Sequence, residues 1–163
     1  MTDYSMMAAQ ILSLAEEERD YMPLLSNAAA VIYHGMDNIN WAGFYLAEGE
    51  DLLLGPFQGK PACIRIKKGK GVCGSAVLKG SVLRVDDVHA FPGHIACDEA
   101  SRSETVAPIR SGGRIVGVLD IDSPVEGRFD ENDEAGIALI AETIGRAADF
   151  SRLFSGCGDV SRK

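Results

Sequence analysis

Residues 39 to 57 read Ile39-Asn40-Trp41-Ala42-Gly43-Phe44-Tyr45-Leu46-Ala47-Glu48-Gly49-Glu50-Asp51-Leu52-Leu53-Leu54-Gly55-Pro56-Phe57. Two aromatic and aliphatic runs, 39 to 46 and 51 to 57, flank a short polar segment that contains a glycine. This pattern is typical of a β-hairpin. The strand period of two places Trp41, Gly43 and Tyr45 on one face. We interpret that face either as the aromatic wall of a small-ligand pocket or as part of the core.

Helical spacing of apolar residues appears on both sides of this hairpin. It predicts helices over 4–19 and 23–35 near the N-terminus and over 130–154 near the C-terminus, the last capped by Asp130. The other predicted elements are a strand over 62–66, a short helix over 72–78 closed by Gly80, a strand over 82–85, and strands over 105–110 and 114–122. We therefore expect an α+β fold with a mainly antiparallel sheet and N- and C-terminal helices packed on it.

Composition limits the classes of function. The chain has 163 residues, of which 46% are hydrophobic, enough for one compact domain over 1–163. A net charge of −8 argues against a nucleic-acid or anionic-membrane surface. Neither a signal peptide nor a long apolar run is visible, so we expect a cytoplasmic protein. The motif-bearing core spans about 20–150, and we expect a mobile tail over 155–163.

Four cysteines occur, at 63, 73, 97 and 157, without a CxxC pair or a zinc spacing. Cys97 lies in a long polar loop, 86–103, with His94 before it and Asp98 and Glu99 after it. Partly exposed polar surroundings favour a reactive thiol, although a cysteine also serves as a small packed hydrophobe. His89 and His94 are either ordinary loop residues or tune this thiol. Cys157 belongs to the predicted tail and is not expected to take part in catalysis.

Carboxylates form a second constellation, because the strand period places Asp120 and Asp122 on one face with Val116 and Val118. A three-residue loop, Ser111-Gly112-Gly113, would place Glu104 opposite Asp120, whereas a two-residue Gly112-Gly113 loop would turn Glu104 to the other face. Carboxylates that crowd together on a half-buried face repel one another, so at least one of them should stay protonated and could act as an acid. The remaining carboxylates could bind a cationic group of a ligand. The alternative is that Asp120 and Asp122 only cap the following turn. Without a suitably spaced histidine pair we expect no metal.

Six stretches, taken in order, form a pattern that extends over most of the chain. They are Asn40-Trp41-Ala42-Gly43-Phe44-Tyr45-Leu46, Gly55-Pro56-Phe57-Gln58-Gly59, Gly71-Val72-Cys73-Gly74, Asp86-Asp87-Val88, the loop from Phe91 to Asp98, and Gly117-Val118-Leu119-Asp120-Ile121-Asp122. This pattern resembles the free methionine-(R)-sulfoxide reductases, which are GAF-domain enzymes. The resemblance covers about residues 20 to 150, and its cysteine-bearing loop is more specific than a general GAF pattern.

The resemblance implies thiol-dependent reduction of free L-methionine-(R)-sulfoxide, a repair of oxidative damage. It implies Cys97 as the nucleophile, Cys63 as the resolving cysteine and Cys73 as an alternative disulfide partner, and the choice between Cys63 and Cys73 stays open. It also implies a substrate site with Trp41 and Tyr45 at the methyl-thio end and three acids that bind substrate and take part in catalysis. Those acids are Glu104, Asp120 and Asp122.

By the same resemblance, the external reductant is thioredoxin, which is itself reduced with electrons from NADPH, and no cofactor is bound. The amphipathic N-terminal helices and the long C-terminal helix make a homodimer our expectation. The alternative function is a non-catalytic GAF module that binds a small molecule or senses redox state, since one fold hosts many functions.

Overall fold

The computed structural model describes residues 2–94 and 97–155. Cys157 and the rest of the predicted tail, from 156 onward, lie outside the described residues. In chain order the helices and strands are α1 (Tyr4–Glu17), α2 (Tyr21–Gly35), β1 (Trp41–Glu48), β2 (Asp51–Gly59), β3 (Arg65–Lys67), α3 (Gly71–Lys79), β4 (Leu83–Val85), β5 (Ser103–Ser111), β6 (Arg114–Ser123), α4 (Glu131–Ala147) and α5 (Ser151–Ser155).

The six strands form one antiparallel sheet in the order β3-β2-β1-β6-β5-β4. The predicted hairpin is β1 and β2, in which Glu48 pairs with Asp51 across a two-residue loop. Gly49 occupies that loop with a φ of 61°, a conformation that glycine adopts without steric cost. The predicted α+β fold is confirmed.

Alternating residues of the central strands point to opposite faces of the sheet, and each face has its own apolar core. Phe44, Leu119 and Ile121 point to the face covered by α1, α2 and α4, where they join the larger apolar cluster. Trp41, Tyr45 and Val118 belong to a smaller cluster on the other face, covered by α3 and the connecting segments. The second face is therefore less thickly covered, and it holds the polar residues predicted to act.

Several element boundaries differ from the sequence prediction: α1 ends at Glu17 rather than at 19, and the strand expected over 62–66 is β3, Arg65–Lys67. The second helix begins at Tyr21, before Pro23, because the Asp20 side chain accepts a hydrogen bond from the Met22 amide and caps it. The C-terminal helix does not run to 154: α4 ends at Ala147, and Ala148 is extended, with φ −78° and ψ 143°. Asp149 then makes an isolated parallel bridge with Asp20, which joins the segment after α4 to the connection between α1 and α2.

Within the described residues, no helix combines the length and the apolar character that crossing a membrane requires.

Candidate active site

A β-bulge in the hairpin of β5 and β6 brings the predicted acids together. The loop has two residues, since Ser111 pairs with Arg114. A regular ladder would then turn Glu104 away from Asp120. The register instead shifts by one, because Arg110 pairs with Ile115 and Ile109 with Gly117, so that Val116 is an extra residue on β6. Beyond the bulge, Glu104 pairs with Asp122 and Val106 with Asp120, and the three acids share one face.

The same bulge overturns one prediction, that Val116 shares a face with Asp120 and Asp122. Val116 is fully buried in the cluster beneath α1, α2 and α4, whereas Val118 lies in the cluster on the acid side. The extra residue interrupts the period of two between these positions. The alternative role for the acids, capping the turn after β6, is taken by Ser123, whose hydroxyl accepts a hydrogen bond from the Val125 amide.

Strand β1 adds the aromatic wall beside the acids. Trp41 pairs with Asp122 and Gly43 with Asp120, which places the aromatic and acidic faces side by side. The Trp41 and Tyr45 rings are stacked with centroids 6.0 Å apart. A Cβ on Gly43 would collide with Phe57 on β2 and would lie 2.8 Å from the far edge of the Trp41 ring, so glycine at this position lets both aromatic residues pack against β1.

Both rings also carry a polar group that holds the segment between β2 and β3. Trp41 Nε1 donates to the Lys60 carbonyl at 3.1 Å, and the Tyr45 hydroxyl donates to the Cys63 carbonyl at 2.8 Å. Burial, and then the charge of Asp120, raise the pKa of Tyr45, which keeps the hydroxyl protonated as a donor. The aromatic wall therefore positions the backbone of Cys63.

Cys63 and Cys97, 34 positions apart in the chain, form a disulfide with a Cα–Cα distance of 5.4 Å. The Cys97 side of this bond is anchored by Asn40, whose Nδ2 donates to Asp98 Oδ2 and to Ser101 Oγ, both at 3.1 Å. Lys60 Nζ also lies 3.9 Å from Asp98 Oδ1. Sequence reasoning assigned no role to Asn40 or Lys60, and no local pattern signals these contacts, since their partners lie far along the chain.

A cavity of about 40 Å³ lies between the disulfide, the aromatic wall and the acids. Its lining includes seven of the eight predicted site residues, namely Trp41, Tyr45, Cys73, Cys97, Glu104, Asp120 and Asp122. The eighth, Cys63, reaches the cavity through its bond to Cys97. Cys73 enters from α3 and is buried, with its Sγ 3.9 Å from Glu104 Oε1.

His94 also lines the cavity, and its ring packs edge-on against His89 with centroids 6.1 Å apart. Burial, reinforced by the neighbouring His89, lowers the pKa of His94. The ring is therefore neutral at physiological pH and supplies no charge to the site.

Burial is the main influence on the acids. It raises the pKa of Glu104 well above its usual range, and the charges of Asp120 and Asp122 add to the rise. The pKa of Asp122 rises for the same reasons, burial first and then the charge of Asp120. Burial raises the pKa of Asp120 to about 6, and the neighbouring Cys73 and Glu104 side chains oppose that rise. Burial and mutual repulsion thus favour protonation of part of this cluster, and Asp120 has the lowest raised pKa that is resolved, at about 6.

Comparison with known proteins places these features in a family. Residues 15–149 match the model of the GAF domain. The chain is 56% identical over 147 residues to Protein YtsP of Bacillus subtilis, covering 89% of this chain and 90% of that protein. It is 49% identical over 146 residues to the free methionine-R-sulfoxide reductase of Escherichia coli, covering 88% of each.

A solved structure agrees in fold as well as in sequence. The X-ray structure of free methionine-R-sulfoxide reductase from Neisseria meningitidis in complex with its substrate superposes with a TM-score of 0.86 at 43% identity, covering 92% of this chain and 90% of that one. Sequence, fold and the matched length agree, and the chain belongs to the GAF-domain family of free methionine-(R)-sulfoxide reductases.

Proposed function

We propose that this protein reduces free L-methionine-(R)-sulfoxide to L-methionine, with Cys97 as the nucleophile. The observation that carries the proposal is the Cys63–Cys97 disulfide at a cavity lined by an aromatic wall and buried acids. Such a bond is the oxidised product expected when one thiol takes an oxygen atom and a second thiol removes it. Relatives with high identity carry the corresponding name.

The reaction takes two steps. The Cys97 thiolate attacks the sulfoxide sulfur, a protonated acid of the cluster gives its proton to the sulfoxide oxygen, and the oxygen moves to Cys97 as a sulfenic acid while methionine leaves. The Cys63 thiol then displaces that oxygen as water and forms the disulfide. In total, one sulfoxide and two thiols become one thioether, one disulfide and one water.

The acids and the aromatic wall bind different parts of the substrate. We assign the proton donor to Glu104 or Asp122, because burial raises the pKa of both carboxyl groups and so favours their protonated forms. The ionised Asp120 then receives the ammonium of the free amino acid. Trp41 and Tyr45 contact the methyl-thio end. A peptide would lack the free ammonium and would leave a buried carboxylate unpaired, which favours the free amino acid.

Burial favours Cys63 over Cys73 as the resolving residue. Burial, and then the charges of Asp120 and Glu104, raise the pKa of Cys73, which makes its thiolate scarce and slows its attack. We therefore assign Cys73 to an alternative disulfide that forms when Cys63 is absent. Reduction of the Cys63–Cys97 disulfide needs an external dithiol. We propose that this dithiol is thioredoxin, which receives its electrons from NADPH, and that the reaction takes place in the cytoplasm. No bound cofactor or metal enters these steps.

The deciding experiment is turnover of the two epimers of methionine sulfoxide by the parent protein and by single Cys→Ser variants. We expect thioredoxin-coupled NADPH consumption with the R epimer, complete loss in Cys97→Ser, and a large loss in Cys63→Ser. Cys157→Ser is the matched control and should keep full activity.

Turnover that survives Cys97→Ser would overturn the assignment of the nucleophile. Saturable binding of the sulfoxide without product would instead favour a ligand-binding GAF module. A disulfide formed by peroxide alone, and unaffected by the sulfoxide, would favour a redox sensor.

The homodimer also stays a proposal, and light scattering of the purified protein measures it. Exposed apolar side chains on two helices of one layer support it, namely Met6 and Leu12 on α1 and Leu139 on α4. A molar mass of one chain at micromolar concentration would contradict it.

A further inference from the structure

Three side chains on three different elements converge on one point beside the cavity. The thiol of Cys73 from α3 and the carboxyl groups of Glu104 from β5 and Asp120 from β6 each offer an atom within 4.8 Å of the other two. All three side chains are buried. Neighbouring strands and a packed helix hold them, so the cluster does not depend on a loop.

One of these groups lacks a partner. Asp120 is only 6% exposed, and its Oδ1 is buried without a hydrogen-bond partner among the described residues. Leaving a buried polar atom unpaired costs about 1–3 kcal/mol, more when the group is charged. Asp120 also lines the cavity, where a bound cation would satisfy that oxygen.

The spacing suits a small ion with tetrahedral coordination. Bond lengths of about 2.3 Å to sulfur and 2.0 Å to oxygen place the sulfur and oxygen ligands of tetrahedral zinc about 3.5 Å apart. Cys73 Sγ and Glu104 Oε1 are 3.9 Å apart, so this pair needs a contraction of less than an ångström, and the two pairs with Asp120 start from at most 4.8 Å. The cavity of about 40 Å³ is large enough for one ion and a bound water.

We propose that Cys73, Glu104 and Asp120 form a binding site for a thiophilic divalent cation of the zinc class. A sulfur ligand selects against Mg²⁺ and Ca²⁺, which prefer oxygen alone. The three groups supply three ligands, and the cavity leaves the fourth position to water. The ion would occupy Glu104 and Asp120, which the proposed function assigns to the substrate, so the ion and the sulfoxide would exclude each other. Metal binding is measured without turnover, so its success or failure is distinct from that of the proposed reductase activity.

The test uses Co²⁺, which replaces zinc and reports a thiolate ligand by its charge-transfer absorption. The protein is the oxidised Cys157→Ser variant, in which the disulfide occupies Cys63 and Cys97 and leaves Cys73 as the thiol available to the ion. We expect one Co²⁺ per chain with thiolate absorption, and displacement of the Co²⁺ by Zn²⁺. Cys73→Ala should abolish the absorption, and Asp120→Asn should weaken affinity by at least roughly tenfold. Glu50→Gln, an exposed acid on the β1–β2 loop, should leave the affinity unchanged.

Several results would overturn the site. Co²⁺ that binds without thiolate absorption, or with equal affinity after Cys73→Ala, lies elsewhere. Loss of binding in His89→Ala but not in Cys73→Ala would place the ion on the imidazole pair. Cys73→Ser guards against a folding defect: if it gives the parent circular dichroism spectrum yet keeps the thiolate absorption, the proposal is wrong.

Discussion

At the residue scale, Asp120 makes the stability of the protein depend on pH. Its pKa is about 6 in the folded protein and near 4 in an unfolded chain. Between these values the folded state binds more protons than the unfolded state, so the free energy of unfolding falls as the pH rises from about 4 to about 6. Asp120 therefore lowers the free energy of unfolding at neutral pH. The charge that causes this loss is the one that the proposed site uses to bind the substrate ammonium.

We therefore expect Asp120→Asn to gain stability relative to the parent as the pH rises. The difference in free energy of unfolding between variant and parent should grow by roughly 2 kcal/mol from pH 4 to pH 7, because asparagine does not ionise. Urea unfolding of the two oxidised proteins at each pH measures it. Glu50→Gln, on an exposed loop, should show no such trend. A constant difference for Asp120→Asn would contradict the raised pKa.

Also at the residue scale, the Tyr45 hydroxyl holds the Cys63 carbonyl at 2.8 Å. Tyr45→Phe keeps the buried ring but leaves that carbonyl without its donor, so we expect a loss of about 1 kcal/mol in the free energy of unfolding. Urea unfolding of the oxidised protein is the measurement. Tyr33→Phe, on α2 and away from the site, is the matched control and should cost less than about 0.5 kcal/mol. Equal losses in the two variants would deny Tyr45 this positioning role.

At the element scale, the approach of α4 to β5 depends on a glycine. A Cβ on Gly145 would collide with the carbonyl oxygen of Arg110, and neither backbone can move alone. The sheet that carries Glu104 is therefore held against α4 at a spacing that only glycine permits. This packing, on the face opposite the site, supports the strand from which Glu104 projects.

We expect Gly145→Ala to lower the free energy of unfolding by about 1–3 kcal/mol, although alanine has the better helix propensity, because overpacking outweighs propensity. Gly35→Ala is the matched control at the end of α2. Its Cβ would meet only the flexible tip of Met7, and the change should be below about 1 kcal/mol. Thermal or urea unfolding compares the two. A neutral Gly145→Ala would show that α4 and β5 can separate without cost.

At the scale of the whole molecule, the disulfide connects the segment after β2 to the loop before β5. The bond closes a loop of 34 positions, and constraint of the unfolded chain should stabilise the oxidised protein by about 4 kcal/mol over the reduced one. Urea unfolding with and without a reductant measures the difference. The gain should vanish in Cys97→Ser and persist in Cys73→Ser. Loss of the gain in Cys73→Ser would identify Cys73 as the main partner of Cys97.

Local patterns predicted most of the elements and the composition of the site. The β1–β2 hairpin, the cap at Asp130 and the end of α3 at Gly80 all follow from spacing and turn chemistry within a few residues. The break after Ala147 was missed, because the extended conformation of Ala148 accompanies the pairing of Asp149 with Asp20, more than a hundred positions away. Apolar residues continue past the break, so periodicity alone extends the helix.

Local sequence patterns are sufficient for the fold class and the aromatic face of β1, because these depend on periods of two and 3.6 along the chain, and the sequence also lists the residue types available for chemistry. Which of these residues meet depends on the tertiary structure. The bulge at Val116 turned Glu104 toward Asp120 and Asp122, and packing brought Cys63 to Cys97 while it buried Cys73 against the acids. The reason is physical: strand register and distances between remote segments depend on the packing of the entire sheet, which no local stretch encodes.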